Sequence, residues 1–348
     1  MEEFLNNQDG NETVISLKNL TIDIPLDEGL LTPVRGVSFD LKANETLGLV
    51  GESGCGKSLT AKAILGINGS KCKSGGSIEM SKDGRIINLL DSSTVSVKEM
   101  RDIRGKIISM IFQEPMSAFS PLFTIGHQLS EAVKLHITRD KRVAKDIVVK
   151  MLKRVGIANP EERYAQHPHE FSGGMLQRAL IAMALVCSPK MLIADEPTTA
   201  LDVTIQAQIL TLMKELQKEY GMAILYITHD LGTVAKMCDN VAVMYLGRIV
   251  EYASVYEIFA NPLHPYTLGL MGSVYKIRGA KKRLASIPGT VPLAMNLEDK
   301  CSFYDRCSFS DDIKCLTREP SLMEVSKDHF VSCYNVDKIL NRQDASNE

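Results

Sequence analysis

Two groups of residues in this 348-residue chain have the types and spacing to act on a phosphate. The first is GESGCGKS, residues 51–58, which fits G-x-x-x-x-G-K-[ST] between the strand-like TLGLV and the helix-like SLTAKAIL. Glycines let such a loop turn so that successive backbone N–H groups point at one anion. The helix that follows adds the positive end of its dipole. Gly51, Ser53, Gly54, Cys55, Gly56 and Leu59 are expected to line the phosphate site, with Lys57 bringing a cation to the β- and γ-oxygens and Ser58 holding Mg2+. The Cys55 thiol is expected to be incidental to binding, though open to alkylation. The second group is MLIADE, residues 191–196, an apolar strand that ends in two carboxylates. Asp195 is placed to hold Mg2+ through water, and Glu196 to orient and polarise an attacking water. Phosphoryl transfer needs mostly positioning and charge neutralisation, so one carboxylate for metal and one for water is a sensible division. Alone, each group has a plainer reading, as a glycine-rich turn or as a strand end with solvated acids. Together they point to a phosphoryl-transfer site.

A third group lies near the end. Of eight cysteines, Cys55, Cys72, Cys187 and Cys238 are scattered, whereas Cys301, Cys307, Cys315 and Cys333 fall close together. In a reducing cytosol such a cluster points to a metal before a disulfide. Structural zinc sites usually open with a C-x₂₋₄-C knuckle, and none is present. The wider, irregular loops are compatible with a [4Fe–4S] cluster, with zinc and metal-free thiols as alternatives. His329, near Cys333 in sequence, reads either as a group behind the ligands or as irrelevant to them.

These groups need elements to hold them. Hydrophobic residues at 45% and charged residues at 24% describe a globular chain and exclude disordered, collagen-like and low-complexity classes. Lys plus Arg is 40 and Asp plus Glu is 42, a net charge of −2, so no global basic field draws the protein to nucleic acid. Apolar runs such as 181–187 fall far short of the roughly 20 residues of a membrane helix. The acidic, polar start lacks the pattern of a secretory signal, which predicts a cytosolic protein. Residues 1–12 read as a disordered tail, and residues 14–50 as β-rich, with VISLKNLTIDI, VSFDL and TLGLV. Beyond Gly51, the apolar strands 106–112, 190–195 and 222–228 alternate with helical stretches 125–155 and 175–186. This alternation predicts a largely parallel α/β sheet covered on both faces. VAVMYLGRIVEY, 241–252, reads as a late hairpin. A boundary near residue 275 separates a domain over 13–275 from a shorter region over 276–348 that begins with the basic, helix-like KIRGAKKR.

FSGGMLQR, 171–178, resembles the signature sequence of ABC-type ATPases. Gln113 after KIISMIF, Ala200-Leu201-Asp202 after the second carboxylate, and His229 after MAILYIT follow in that family's order and spacing. The resemblance implies a P-loop ABC-type nucleotide-binding domain, with a mixed, largely parallel sheet, an antiparallel β subdomain and a helical subdomain. It implies a head-to-tail pair in which ATP is sandwiched between one subunit's phosphate loop and the other's signature. Ser172, Gly173 and Gly174 would then contact the γ-phosphate bound across the interface. Gln113 would sense Mg2+ and water and link to a transmembrane partner, His229 would contact the γ-phosphate, and Asp202 would link the two sites. Most of the superfamily has Gln where this chain has Met175. The position of the usual adenine-stacking aromatic is Ile24, so aliphatic adenine packing is expected.

The runs ETLGLVGESGCGKS, ISMIFQEPM, PLFTIG, HEFSGGM, NPLHPYT (261–267) and PGTVP (288–292) are similar to those of bacterial dipeptide and oligopeptide importer ATPases. That branch commonly has Arg after Met175, where this chain has Leu176. By itself NPLHPYT reads as a loop capped into a helix, with His264 structural. The resemblance implies an ATPase at the cytoplasmic face of the cell membrane, paired with a second ABC ATPase subunit, a paralogue. It also implies two transmembrane permeases, an extracellular substrate-binding protein and a [4Fe–4S] cluster in the Cys-rich extension. The branch also includes nickel and metallophore importers. A soluble ABC ATPase switch acting on nucleic acid or ribosomes is the alternative from another class. One compact cassette without a basic stripe speaks against it, and no nucleic-acid partner is expected.

Overall fold

The computed structural model describes residues 12–82, 84–199, 201–272, 287–311 and 313–347. The predicted boundary near 275, the basic stretch 276–283, Ala200 and the predicted tail up to residue 11 lie outside the described residues. The chain opens with β1 (Thr13–Leu26), β2 (Gly29–Lys42), β3 (Thr46–Val50), α1 (Lys57–Ile64), β4 (Lys73–Lys82), β5 (Arg85–Asn88), α2 (Val97–Ile103) and β6 (Ile108–Ile111). It continues with α3 (Pro115–Ala118), α4 (Ile125–His136), α5 (Lys141–Arg154), α6 (Pro160–Tyr164), α7 (Gly173–Leu185), β7 (Met191–Asp195), α8 (Val203–Tyr220) and β8 (Ala223–Thr228). Then come α9 (Leu231–Met237), β9 (Asn240–Tyr245), β10 (Arg248–Ser254), α10 (Val255–Ala260), α11 (Pro265–Gly272), β11 (Met323–Ser326), β12 (His329–Val331) and α12 (Val336–Asn347).

The chain forms two compact units that interleave in sequence. One comprises residues 1–15, 41–45 and 80–226, the other 16–40, 46–79 and 227–348. In the first, β6 and β7 pair in parallel from Ile108↔Met191 to Ile111↔Ala194. Both strands are buried along their whole length, as expected where helices cover both faces of a parallel pair. Helices α4, α5, α6 and α7 pack on one another. The helical stretch predicted over 125–155 is two helices. The first ends at His136, and Asp140 caps α5, its Oδ1 accepting from the N–H groups of Arg142 and Val143 at 2.7 and 3.2 Å.

In the second unit, β3 pairs in parallel with β9 from Leu47↔Asn240 to Val50↔Val243. The predicted late hairpin is present, with β9 antiparallel to β10 around Leu246 and Gly247. β10 in turn pairs antiparallel with β12, and β12 with β11, so the last part of the chain extends this sheet. β1 and β4 pair antiparallel from Ser16↔Glu79 to Asp23↔Lys73, with β2 on the other side of β1. The parallel pairs end at the two phosphate-type motifs, β3 at Gly51 and β7 at Glu196. The class is therefore mixed α/β, as predicted.

Candidate nucleotide site

The loop after β3 is shaped by glycines in backbone conformations that other residues resist. Gly54 and Gly56 have φ of +84° and +104°. A Cβ at Gly51 would stand 2.1 Å from the Met244 carbonyl oxygen, and one at Gly56 would stand 2.2 Å from that of Pro33. Backbone thus walls the loop beside Gly51 and Gly56. No side chain caps α1, so its N-terminus keeps its positive end for a guest. Lys57 is buried, its Nζ donating to the carbonyls of Gly51 and Glu52 at 2.8 and 2.9 Å and lying 3.5 Å from Cys55 Sγ. Cys55 is fully buried and burial pushes its thiol pKa up, which corrects the expectation that it is open to alkylation.

The motif reading passes over Glu52, the second residue of the loop. Its N–H donates to the Tyr266 hydroxyl at 2.8 Å, and its carboxylate accepts two bonds from Arg306, at 2.7 and 3.0 Å. Only the pairing shows its importance, because Arg306 lies 254 residues away.

In the first unit, Asp195 is buried at the end of β7. Glu196 follows with φ of +48°, a conformation that costs a non-glycine residue energy. Its Oε2 accepts from Gln113 Nε2 at 3.1 Å and Thr199 Oγ1 at 3.0 Å. Gln113 and Glu196, 83 residues apart, are therefore brought together, and Thr199 joins them as a partner that the motif reading missed. The signature residues begin α7. Ser172 Oγ accepts from the Met175 N–H at 3.3 Å, and a Cβ added at Gly173 would meet nothing within 4 Å. Asp202 caps α8, its Oδ1 accepting from Thr204 and Ile205 N–H groups at 3.0 Å each. His229 follows β8 on the surface of the second unit, where the phosphate loop also lies. Ile24 is half-buried in β1.

The four late cysteines share one neighbourhood. The Cys301 N–H donates to the Cys315 carbonyl at 2.8 Å, and Cys307 and Cys333 sulfurs accept from the N–H groups of Phe309 and Asn335 at 3.4 Å each. Asn335 Nδ2 also reaches Cys315 Sγ at 3.8 Å. Burial pushes the Cys301 thiol up to about 12 and that of Cys333 up to about 11. Yet among the described residues no three or more His, Cys, Asp or Glu side chains stand close enough to hold a metal ion. The cysteines expected to hold a [4Fe–4S] cluster or zinc are thus gathered, but no metal-holding group is formed among the described residues. His329 pairs with a buried acid. It is buried with its Nε2 2.8 Å from Glu251 Oε1, and Glu251 also accepts from the N–H groups of Leu263 and His264 at 2.7 and 2.9 Å. His264 is structural, as expected: its Nδ1 accepts from the Tyr266 N–H at 3.1 Å, and burial lowers its pKa to about 4. No helix among the described residues is long and apolar enough to cross a membrane.

Residues 34–199 match the ABC transporter family, and residues 250–315 match the oligopeptide/dipeptide transporter C-terminal region. The second match takes in Glu251, NPLHPYT, PGTVP and three of the late cysteines. The chain is 47% identical to the dipeptide transport ATP-binding protein DppD of Bacillus subtilis, over 94% of this chain and 96% of that protein. It is 46% identical to a probable peptide ABC transporter ATP-binding protein of Sinorhizobium fredii, over 95% and 97%. With the oligopeptide transport ATP-binding protein OppD of Escherichia coli it shares 42% over 94% and 95%. Among solved structures, cbiO1 from Clostridium perfringens, part of an ABC transporter complex, superposes with a TM-score of 0.59 at 29% identity, over 72% of this chain and 92% of that one. The chain belongs to the ATP-binding proteins of ABC transporters, in the branch that carries the oligopeptide/dipeptide C-terminal region.

Proposed function

We propose that this protein is the ATP-binding and hydrolysing subunit that powers import of di- and oligopeptides through a membrane ABC transporter. The observation that carries the reading is similarity over nearly the whole chain to peptide-transport ATP-binding proteins, together with a match to the oligopeptide/dipeptide transporter C-terminal region. Lys57 would exchange the carbonyls of Gly51 and Glu52 for the β- and γ-oxygens of ATP, so its cation is already poised over the loop. The Ser58 hydroxyl and the buried Asp195 carboxylate are hard oxygen donors that fit Mg2+, which would neutralise phosphate charge when bound. Glu196 would take the attacking water in place of its present bond to Gln113, and Thr199 would hold its carboxylate in line. Gln113 would thereby report the state of the site to the permease side. His229 would contact the γ-phosphate. Ser172, Gly173 and Gly174 would meet the ATP held by the partner cassette, and Asp202 would link the two sites.

The partners of this reading are a paralogous ATPase subunit, two transmembrane permeases and an extracellular substrate-binding protein. The chain would work at the cytoplasmic face of the membrane. Cys301, Cys307, Cys315 and Cys333 would hold a [4Fe–4S] cluster. Three of the four gathered sulfurs accept N–H···S bonds, which suits the anionic thiolates that hold such a cluster. Anaerobic purification and an iron and sulfide assay test this part, with about four irons per chain expected. Glu196→Gln tests the ATPase. It should retain ATP and lose turnover at least about 100-fold in the reconstituted transporter, and unchanged hydrolysis would overturn the assignment.

A further inference from the structure

Two motifs with no assigned chemistry converge on one residue of the phosphate loop. Tyr266 of NPLHPYT fixes the backbone of Glu52 by accepting its N–H at 2.8 Å. Pro288 and Gly289 of PGTVP accept from Arg306, at Nε (2.7 Å) and Nη2 (3.4 Å). Arg306 completes the link with its two bonds to the Glu52 carboxylate. Its guanidinium also lies over the rings of Tyr245 and Phe303, 5.7 and 5.9 Å from their centroids. The Arg306 side chain is 5% exposed and that of Glu52 31%. All of these residues belong to one compact unit. A second arginine, Arg35 of β2, ties the same strip down by donating to Ser302 Oγ at 2.8 Å.

Glu52 sets a problem for the loop. It is an acid one residue into a motif built to attract a triphosphate, and like charges at such range oppose binding. A guanidinium fork matches a carboxylate in shape and charge, so Arg306 both cancels that acid and turns it toward the extension. Cys307 follows Arg306 directly, so the cysteine-bearing strip carries the cation that quiets the loop.

We propose that Arg306 is a positioning residue for nucleotide binding, which neutralises and orients Glu52 and so couples the Cys-rich extension to the phosphate loop. This rests on reading residues 51–58 as the ATP site. The test titrates a fluorescent ATP analogue into the full chain, purified anaerobically. Arg306→Met should weaken binding about tenfold, because it uncovers an unpaired carboxylate. Adding Glu52→Gln to that variant should restore affinity to within about threefold, since the opposing charge is then gone. Arg306→Lys, which keeps the charge without the fork, should fall between.

A merely structural clasp predicts no rescue, because the double variant lacks the clasp as fully as the single one. The proposal is overturned if Arg306→Met binds like the unmodified chain, or if the double variant stays as weak as Arg306→Met. Should Arg306→Met not fold, Glu52→Gln alone decides: it should bind at least as tightly as the unmodified chain, and a clear loss overturns the proposal. Lys57→Ala in the same titration separates the two readings. If it abolishes binding while Arg306→Met does not weaken it, only the coupling fails. If Lys57→Ala binds normally, the site reading fails and the coupling falls with it.

Discussion

Helices α1 and α7 both start at glycines suited to a phosphate, and their first turns are built in opposite ways. At α1, Gly56 has a φ of +104°, brings no capping side chain, and leaves no room for a Cβ beside the Pro33 carbonyl. At α7, Ser172 is extended, caps the turn with its own hydroxyl, and is followed by Gly173 in open space. The first is an enclosed cradle finished from within the chain, with Lys57 already folded over it. The second is a flat, self-capped end whose glycine leaves access rather than making a turn. One glycine motif is thus a demand of the backbone and the other a clearance for something from outside, in keeping with the proposed head-to-tail pair.

Three changes bear on this contrast. The largest effect belongs to Gly56→Ala, which forces a Cβ into a backbone oxygen at an unfavourable φ. ATP binding by the isolated chain should fall at least about 100-fold by calorimetric titration, the scale of about 3 kcal/mol of strain and misplaced N–H groups. Normal binding would dissolve the contrast. Acid comes next. His264 titrates near 4 when folded against 6.5 in the open chain, so the unfolded chain binds more protons between those values. Stability of the unit that carries α1 is therefore full above about pH 6.5 and falls as pH drops toward 4, by at most about 3 kcal/mol. Thermal melts at stepped pH should show this loss, and His264→Gln should flatten it. The smallest effect belongs to Ser172→Ala, which removes a cap worth about 1 kcal/mol. The isolated chain should bind ATP as before, whereas turnover in the assembled transporter should drop. Weaker binding by the isolated chain would mean that the α7 end is not reserved for a partner.

How much of this is legible in the sequence depends on which atoms do the work. The phosphate loop is backbone chemistry, and backbone chemistry is written in the spacing of glycines, so 51–58 can be read directly. The buried strands around it are equally plain, because TLGLV and MLIAD carry no polar face. Meetings of distant side chains are not legible. The Glu52–Arg306 pair and the Glu251–His329 pair span 254 and 78 residues, and nothing in a one-dimensional pattern distinguishes them from solvated charges. The break between α4 and α5 is hidden for another reason: no proline or glycine marks it, and the turn after His136 is closed by Asp140 capping α5. Cys55 misleads because its place in a binding loop suggests exposure, whereas the loop turns it inward. The late cysteines are legible as a neighbourhood but not as a geometry, since their spacing says nothing of where four sulfurs point.

Glu196 sits with φ of +48°, in a region that glycine and asparagine enter readily and glutamate does not. The fold alone would be better served by another residue there, by about 1 kcal/mol. A laboratory selection that rewarded only heat resistance would thus favour losing Glu196, and with it the residue proposed to activate water. Hardiness and turnover are set against each other at this position, so a thermostabilised variant of this protein should be checked at residue 196 before it is trusted as a working motor.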